Sequence, residues 1–168
     1  MLKINLGETL NRIRSRSLNE NVKKLLGMKG NPSKIALSIS LGLFIGLTVP
    51  MGLQTIITVP LAILLDCNII LAVLSTSITN PFTIVPIYIA AAKIGELITP
   101  FSISWGKTIS VFSKPTFQGI ASLGKESVIL IFTGTLIIGI IASSAAYLIV
   151  LKAIISYRKR FPSNSEKN

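Results

Sequence analysis

Chemistry-bearing side chains are sparse in this 168-residue sequence, and the gaps exclude whole reaction classes. With no histidine, the commonest general acid–base group and metal ligand is missing, and the lone Cys67 can build neither an intramolecular disulfide nor a zinc site. The six acids are scattered, and only Asp66 and Glu96 are expected near the core or edge of a membrane. Gly119-IASL-Gly124-Lys125 imitates the opening of a phosphate-binding loop, yet Glu126 stands where a Ser/Thr would meet magnesium, and no strand-like run precedes it. Serines and lysines are common, but no spacing pairs them as nucleophile and base. The expectation is a protein that is not an enzyme, without catalytic, cofactor-binding or metal-binding residues.

The polar residues that do stand out sit inside apolar blocks. Thr48, Gln54 and Thr55 flank Pro50 and Gly52 in GLFIGLTVPMGLQT; Thr79, Asn80 and Thr83 flank Pro81 in STSITNPFTIVPIYIAA. Proline removes a backbone donor and breaks a helix, and unsatisfied backbone groups in hydrocarbon cost several kcal/mol each. Such breaks persist at membrane depth only where protein packs on them or water reaches them, so the two are expected to face each other. The helix after each proline presents free N–H groups and the positive end of its dipole, a combination suited to an anion. These nine residues form a candidate polar pocket. The plainer alternative is that Asn80 caps its own helix, with Pro81 at the first position.

The elements that must position these residues follow from composition. Half of the residues are hydrophobic and 14% charged, with a mean hydropathy of +0.70, which marks an integral membrane protein. The formal net charge of +11 lies at the chain ends without interleaved aromatics, which fits membrane orientation and not nucleic acid. The first 34 residues are polar and basic, unlike a cleaved leader. Val128 to Leu151 has no charge for 24 residues and reaches about 36 Å, one uninterrupted transmembrane helix. Its small residues Gly139, Ala142, Ser143 and Ala146 would let another helix approach, admitting a homo-oligomer. Ile35 to Leu65, at 31 residues, is too long for one straight crossing and too short for two, which predicts a helix, a break and a second helix. Gly42 and Gly46 precede that break as a GxxxG that could seat its two halves together or against a neighbour. Ile69 to Ala92 is one crossing, broken at Asn80-Pro81.

The predicted fold is all-α: a small polytopic helical membrane protein with two Pro/Gly-broken segments, re-entrant or bent, and one uninterrupted transmembrane helix. Residues 1–31 read as a basic amphipathic cytoplasmic helix, 32–98 as the broken-helix membrane domain, and 99–127 as an amphipathic interfacial region. Residues 128–151 read as the transmembrane helix and 152–168 as a basic cytoplasmic tail. Ser17-Leu-Asn-Glu20 has capping-box form, Val22, Leu25 and Leu26 make an apolar face, and Gly30 with Asn31-Pro32 ends one helix and starts the next. Thr99-Pro100 reads as a helix start, followed by Phe101, Trp105, Ile109 and Phe112 on one face, interfacial or a lid over the breaks. Lysines and arginines flank the first and last blocks densely and the middle loop thinly, so both termini are expected in the cytoplasm. That requires an even number of crossings, met if the first block is re-entrant; three crossings with an external tail is the competing topology.

Pro32 through Ile98, with IALSISLGLFIGLTVPMGLQT, the asparagine of LLDCNIILA, STSITNPFT and PIYIAAAKIGELI, resembles the prokaryotic membrane family named domain of unknown function 2062. The family signature falls on Gly42, Gly46, Pro50, Gly52, Gln54, Thr55, Asn68, Asn80, Pro81, Thr83, Tyr88 and Gly95. It adds Asn68 to the candidate pocket. The resemblance implies a multi-pass protein of the bacterial inner membrane, and some relatives are joined to glycosyltransferase domains. Two functions fit: binding or passing a small anionic solute or lipid head group at the paired breaks, or a non-catalytic anchor or assembly module for envelope glycan and lipid enzymes. The expected partners are membrane lipids, an anionic leaflet met by the basic N-terminus and tail.

Overall fold

In a computed structural model, residues 25–28, 30–102, 106 and 124–161 are described. They order into α1 (Pro32–Thr48), α2 (Gln54–Leu64), α3 (Ile69–Thr76), α4 (Ile84–Ile98) and α5 (Gly124–Arg160), and no described residue lies in a strand. Each apolar block with an internal proline is indeed two helices.

Local chemistry sets the boundaries. Asn31 caps α1, its side chain accepting from the Ser33 N–H at 2.9 Å, with Pro32 at the first position where no donor is needed. Val49 and Pro50 are outside the helix, and Gly52, at φ +97°, turns the chain as an L side chain rarely can. At the far end of α2, Asp66 takes the left-handed conformation at φ +52°. The Cys67 N–H reaches the Ala62 carbonyl at 2.8 Å and the Asp66 N–H reaches that of Ile63 at 3.0 Å, so the last carbonyls of α2 are satisfied. Asn68 then caps α3, accepting from the Leu71 N–H at 3.0 Å.

Contacts between helices fix their directions. Lys34 Nζ donates to the Leu65 carbonyl at 2.8 Å and pairs with Asp66 at 3.4 Å, so α2 folds back along α1 as a hairpin. The Asn68 N–H donates to Ser38 Oγ, Gly42 lies on the Ala72 carbonyl and Gly46 on Thr76. These three pairs share one offset, so α1 and α3 run parallel in fixed register. A Cβ on Gly42 would sit 1.9 Å from the Ala72 carbonyl oxygen, so the GxxxG serves this neighbour and not the two halves of its own block.

α5 is antiparallel to two partners. Its Gly139 meets Thr48 and Phe44 at the end of α1, and Arg158 donates to the carbonyls of Met28 and Gly30 before α1. Gly134 lies on the Ala91 carbonyl and Gly95 of α4 on that of Leu130, a reciprocal close approach of backbones. Since α5 opposes both α1 and α4, and α3 runs with α1, α3 and α4 point the same way. The first helix–break–helix unit folds back; the second runs on.

Several expectations shift in detail. The last helix extends beyond 128–151 at both ends, taking in Lys152 to Arg160. Thr99 closes α4, its hydroxyl donating to the Gly95 carbonyl at 2.8 Å, instead of opening a new helix. Phe101 packs on the cluster of Ile84, Tyr88, Ala92, Leu130 and Ile131, while Trp105, Ile109, Phe112 and the 17–22 segment lie outside the described residues. α5 is long and apolar enough to cross a membrane. Much of the molecule's apolar side-chain area lies outside the core: Phe82 is 90% exposed, Leu97 85% and Leu64 79%.

Candidate polar junction between two helix breaks

The fold-back of α2 carries Gln54, the first residue of that helix, under the break of the second unit. Its Nε2 donates to Thr79 Oγ1 at 2.8 Å and to the carbonyls of Gly46 and Val49, each at 3.0 Å. Three acceptors share two protons, so one of these bonds is bifurcated. The Thr79 hydroxyl in turn donates to the Gly46 carbonyl and lies 3.3 Å from that of Thr76. Gln54 and Thr79 are both buried, and their network takes up two carbonyls, of Gly46 and Val49, that the end of α1 leaves near the break. The expectation that the two breaks meet holds.

The second break is closed by its own side chains. Asn80 Oδ1 accepts from the N–H groups of Phe82 at 2.9 Å and Thr83 at 3.1 Å, while Thr83 Oγ1 accepts from the Asn80 N–H at 2.9 Å. This reciprocal pair has the logic of a capping box across one turn that precedes α4. Thr83 Oγ1 also donates to the Ile78 carbonyl at 2.7 Å. Pro81 lies in that turn and Pro86 in the first turn of α4, where a missing N–H costs nothing. Asn80 thus caps as expected, although the helix proper begins at Ile84.

The other candidate residues divide. Thr48 is buried at the end of α1, its hydroxyl donating to the Phe44 carbonyl at 2.8 Å. Pro50, Gly52 and Thr55 are exposed on the outer side of the first break. Asn68 is not at the junction: it caps the opposite end of α3. Ser38, which receives the Asn68 N–H, and the Lys34–Asp66 tie escaped the sequence, because neither has a local motif and both depend on the hairpin.

Among the described residues, no buried side-chain nitrogen or oxygen lacks a hydrogen-bond partner. No group of three His, Cys, Asp or Glu comes together there. Beyond the end of α1 lies a cavity of about 70 Å³ lined by Thr48, Pro50, Tyr88, Val128, Ile131, Phe132 and Thr135. The Thr135 hydroxyl, like that of Thr48, is spent on its own helix, donating to the Phe132 carbonyl at 2.9 Å.

Fold and junction together define a small all-helical protein of two helix–break–helix units clasped by one long helix. The chain belongs to the bacterial family described as "Uncharacterized protein conserved in bacteria (DUF2062)", whose family model matches residues 15–161. No curated protein and no solved structure matches it.

Proposed function

We propose that this chain is a non-catalytic membrane-embedded module of the bacterial inner membrane, serving as an anchor or assembly platform for envelope glycan and lipid enzymes. The observation that carries it is the closed Gln54–Thr79–Gly46 network: the polar groups at the paired breaks satisfy one another, as in a packing device. In this reading α5 crosses the bilayer. Gly139, near the middle of its apolar run, touches Thr48, so both breaks fall near mid-depth. The α1–α2 hairpin enters from the cytoplasmic side and returns, and α3 with α4 completes a crossing. Arg158 ties the two flanks together, so Lys34, Lys152, Lys159 and Arg160 face one anionic leaflet. Of the small residues on α5, Gly139 is taken up by Thr48 and Phe44 of α1, while Ala142, Ser143 and Ala146 are half-exposed and admit a second copy; nucleic acid is not a partner.

One observation favours a second reading, an anion or lipid head group at the breaks. The start of α2 has no side-chain cap, whereas Asn80 supplies the turn before α4. The two readings separate by thermal unfolding of the detergent-purified protein with phosphatidic acid or diacylglycerol. An anchor responds to phosphatidic acid only through its basic flanks, so Thr55→Asp, which places a carboxylate in the first turn of α2, leaves the response unchanged. Loss of the response in Thr55→Asp would overturn the anchor reading.

A further inference from the structure

Arg158 reaches across from α5 to the segment before α1: its Nη1 donates to the Gly30 carbonyl at 2.8 Å and its Nη2 to that of Met28. The chain turns there, with Gly30 at φ +125°. The two bonds use one proton from each terminal nitrogen and leave three N–H donors, that of Nε among them. Both acceptors are neutral. Among the described residues no carboxylate pairs with this guanidinium, and the one described acid at this end of the molecule, Asp66, is taken by Lys34 at 3.4 Å. Nor does the chain offer a counter-charge nearby in sequence: residues 1–24 carry six lysines and arginines against Glu8 and Glu20, so they repel more than they compensate. Lys152, Lys159 and Arg160, all exposed, add to the same charge.

We infer that Arg158 is a binding site for the phosphate of an anionic phospholipid, which compensates the guanidinium and firms its hold on the segment before α1. The inference rests on the bilayer placement proposed above. On that placement the uncharged run of α5 ends at Leu151, and seven further residues carry the helix about 10 Å on, which on a tilted helix is head-group depth. The rings of Tyr157 and Phe161, with centroids 5.1 Å apart, flank the arginine as aromatics do at that depth. A guanidinium offers phosphate a bidentate fork and keeps its charge throughout, so its free donors favour that anion over a neutral acceptor. An acidic protein segment would have to reach the same donors through the head-group layer.

Hydrogen exchange of the full chain tests this, in vesicles of phosphatidylcholine alone and of phosphatidylcholine mixed with phosphatidylglycerol. Phosphatidylglycerol is expected to slow exchange in a peptide spanning residues 25–31 about tenfold, the worth of one charge-assisted hydrogen bond. Lys159→Gln, which removes a charge one residue away, keeps that slowing. Arg158→Gln loses it, and so does Arg158→Lys, which keeps the charge but not the fork. Native exchange across α4, on the other half of α5, shows that the variants fold. Equal loss of the slowing in Lys159→Gln and Arg158→Gln overturns the site, because a diffuse surface field would then be its cause. No slowing in the wild type overturns it too. The same slowing by inorganic phosphate or by a polyglutamate peptide on phosphatidylcholine vesicles overturns the lipid as the occupant. If alkaline carbonate strips the chain from the vesicles, the bilayer placement itself fails and takes the site with it.

Discussion

Gln54 and Thr79 share a 2.8 Å hydrogen bond where two helix breaks meet, and both converge on the carbonyl of Gly46. Side-chain hydrogen bonds between membrane helices are worth only about 0.6 kcal/mol on average, yet stranding a buried polar group costs about 1–3 kcal/mol. Gln54→Leu leaves the Val49 carbonyl without its side-chain donor while Thr79 keeps Gly46, so a loss of about 1–2 kcal/mol is expected. Chemical unfolding in micelles measures it. Thr79→Val is expected to cost more in the Gln54→Leu background than in the wild type, because only there does it leave the Gly46 carbonyl without a side-chain donor, and strictly additive losses would show that the pair does not act as one unit.

Gly42 and Gly52 differ in what they permit. A Cβ on Gly52 meets nothing within 4 Å, and the only penalty is its φ of +97°, about 1 kcal/mol. A Cβ on Gly42 would overlap the Ala72 carbonyl and force α1 and α3 apart, a cost of about 3 kcal/mol. Gly42→Ala is therefore the more damaging substitution in an unfolding titration. Because the obstruction is backbone, Ala72→Gly does not rescue it; rescue would mean that the helices meet through side chains.

The hairpin makes a topological claim that a single residue reports. Asp66, with its side chain 94% exposed in the α2–α3 turn, lies beside Lys34 and on the side of the molecule where Arg158 holds the start of α1. In a Cys67→Ser background, Asp66→Cys and Lys159→Cys are expected to react only with membrane-permeant thiol reagents in whole cells, and Lys125→Cys with impermeant ones. A straight first crossing would put position 66 with 125, and labelling of 66 from outside would sink the re-entrant hairpin.

Much of this architecture was readable from prolines and block lengths, because Pro50 with Gly52 and Asn80 with Pro81 pair a lost donor with a turn or cap residue, whereas Pro60 alone is carried inside α2. The 31-residue length of the first block implied a helix, a break and a second helix, and α1 and α2 are those helices; that the second doubles back on the first comes from the Lys34–Leu65 contact. The partner of the GxxxG was not readable, since Gly42 advertises a close approach without saying to what. Asn68 joined the candidate pocket only through the family signature, which carries no geometry; it caps the end of α3 away from the breaks, where its N–H meets Ser38. The extension of α5 through Arg160 lay hidden because charge ended the apolar block while helix propensity did not end.

Asn80 offers a direct test of depth. Its side chain gives two acceptors to the turn before α4, so Asn80→Ala loses the cap and about 1 kcal/mol. Asn80→Asp keeps both acceptors, and where water reaches the break it is nearly neutral. At the middle of a bilayer, however, an aspartate costs about 3 kcal/mol, more than its cap returns. On the proposed placement, with both breaks near mid-depth, the expected order of stability in reconstituted vesicles is wild type, then Asn80→Ala, then Asn80→Asp. In detergent-free assays at raised pH, where the carboxyl is driven to ionise, the gap between the two variants widens. An Asn80→Asp protein as stable as the wild type would place water at the break and return weight to a polar pocket.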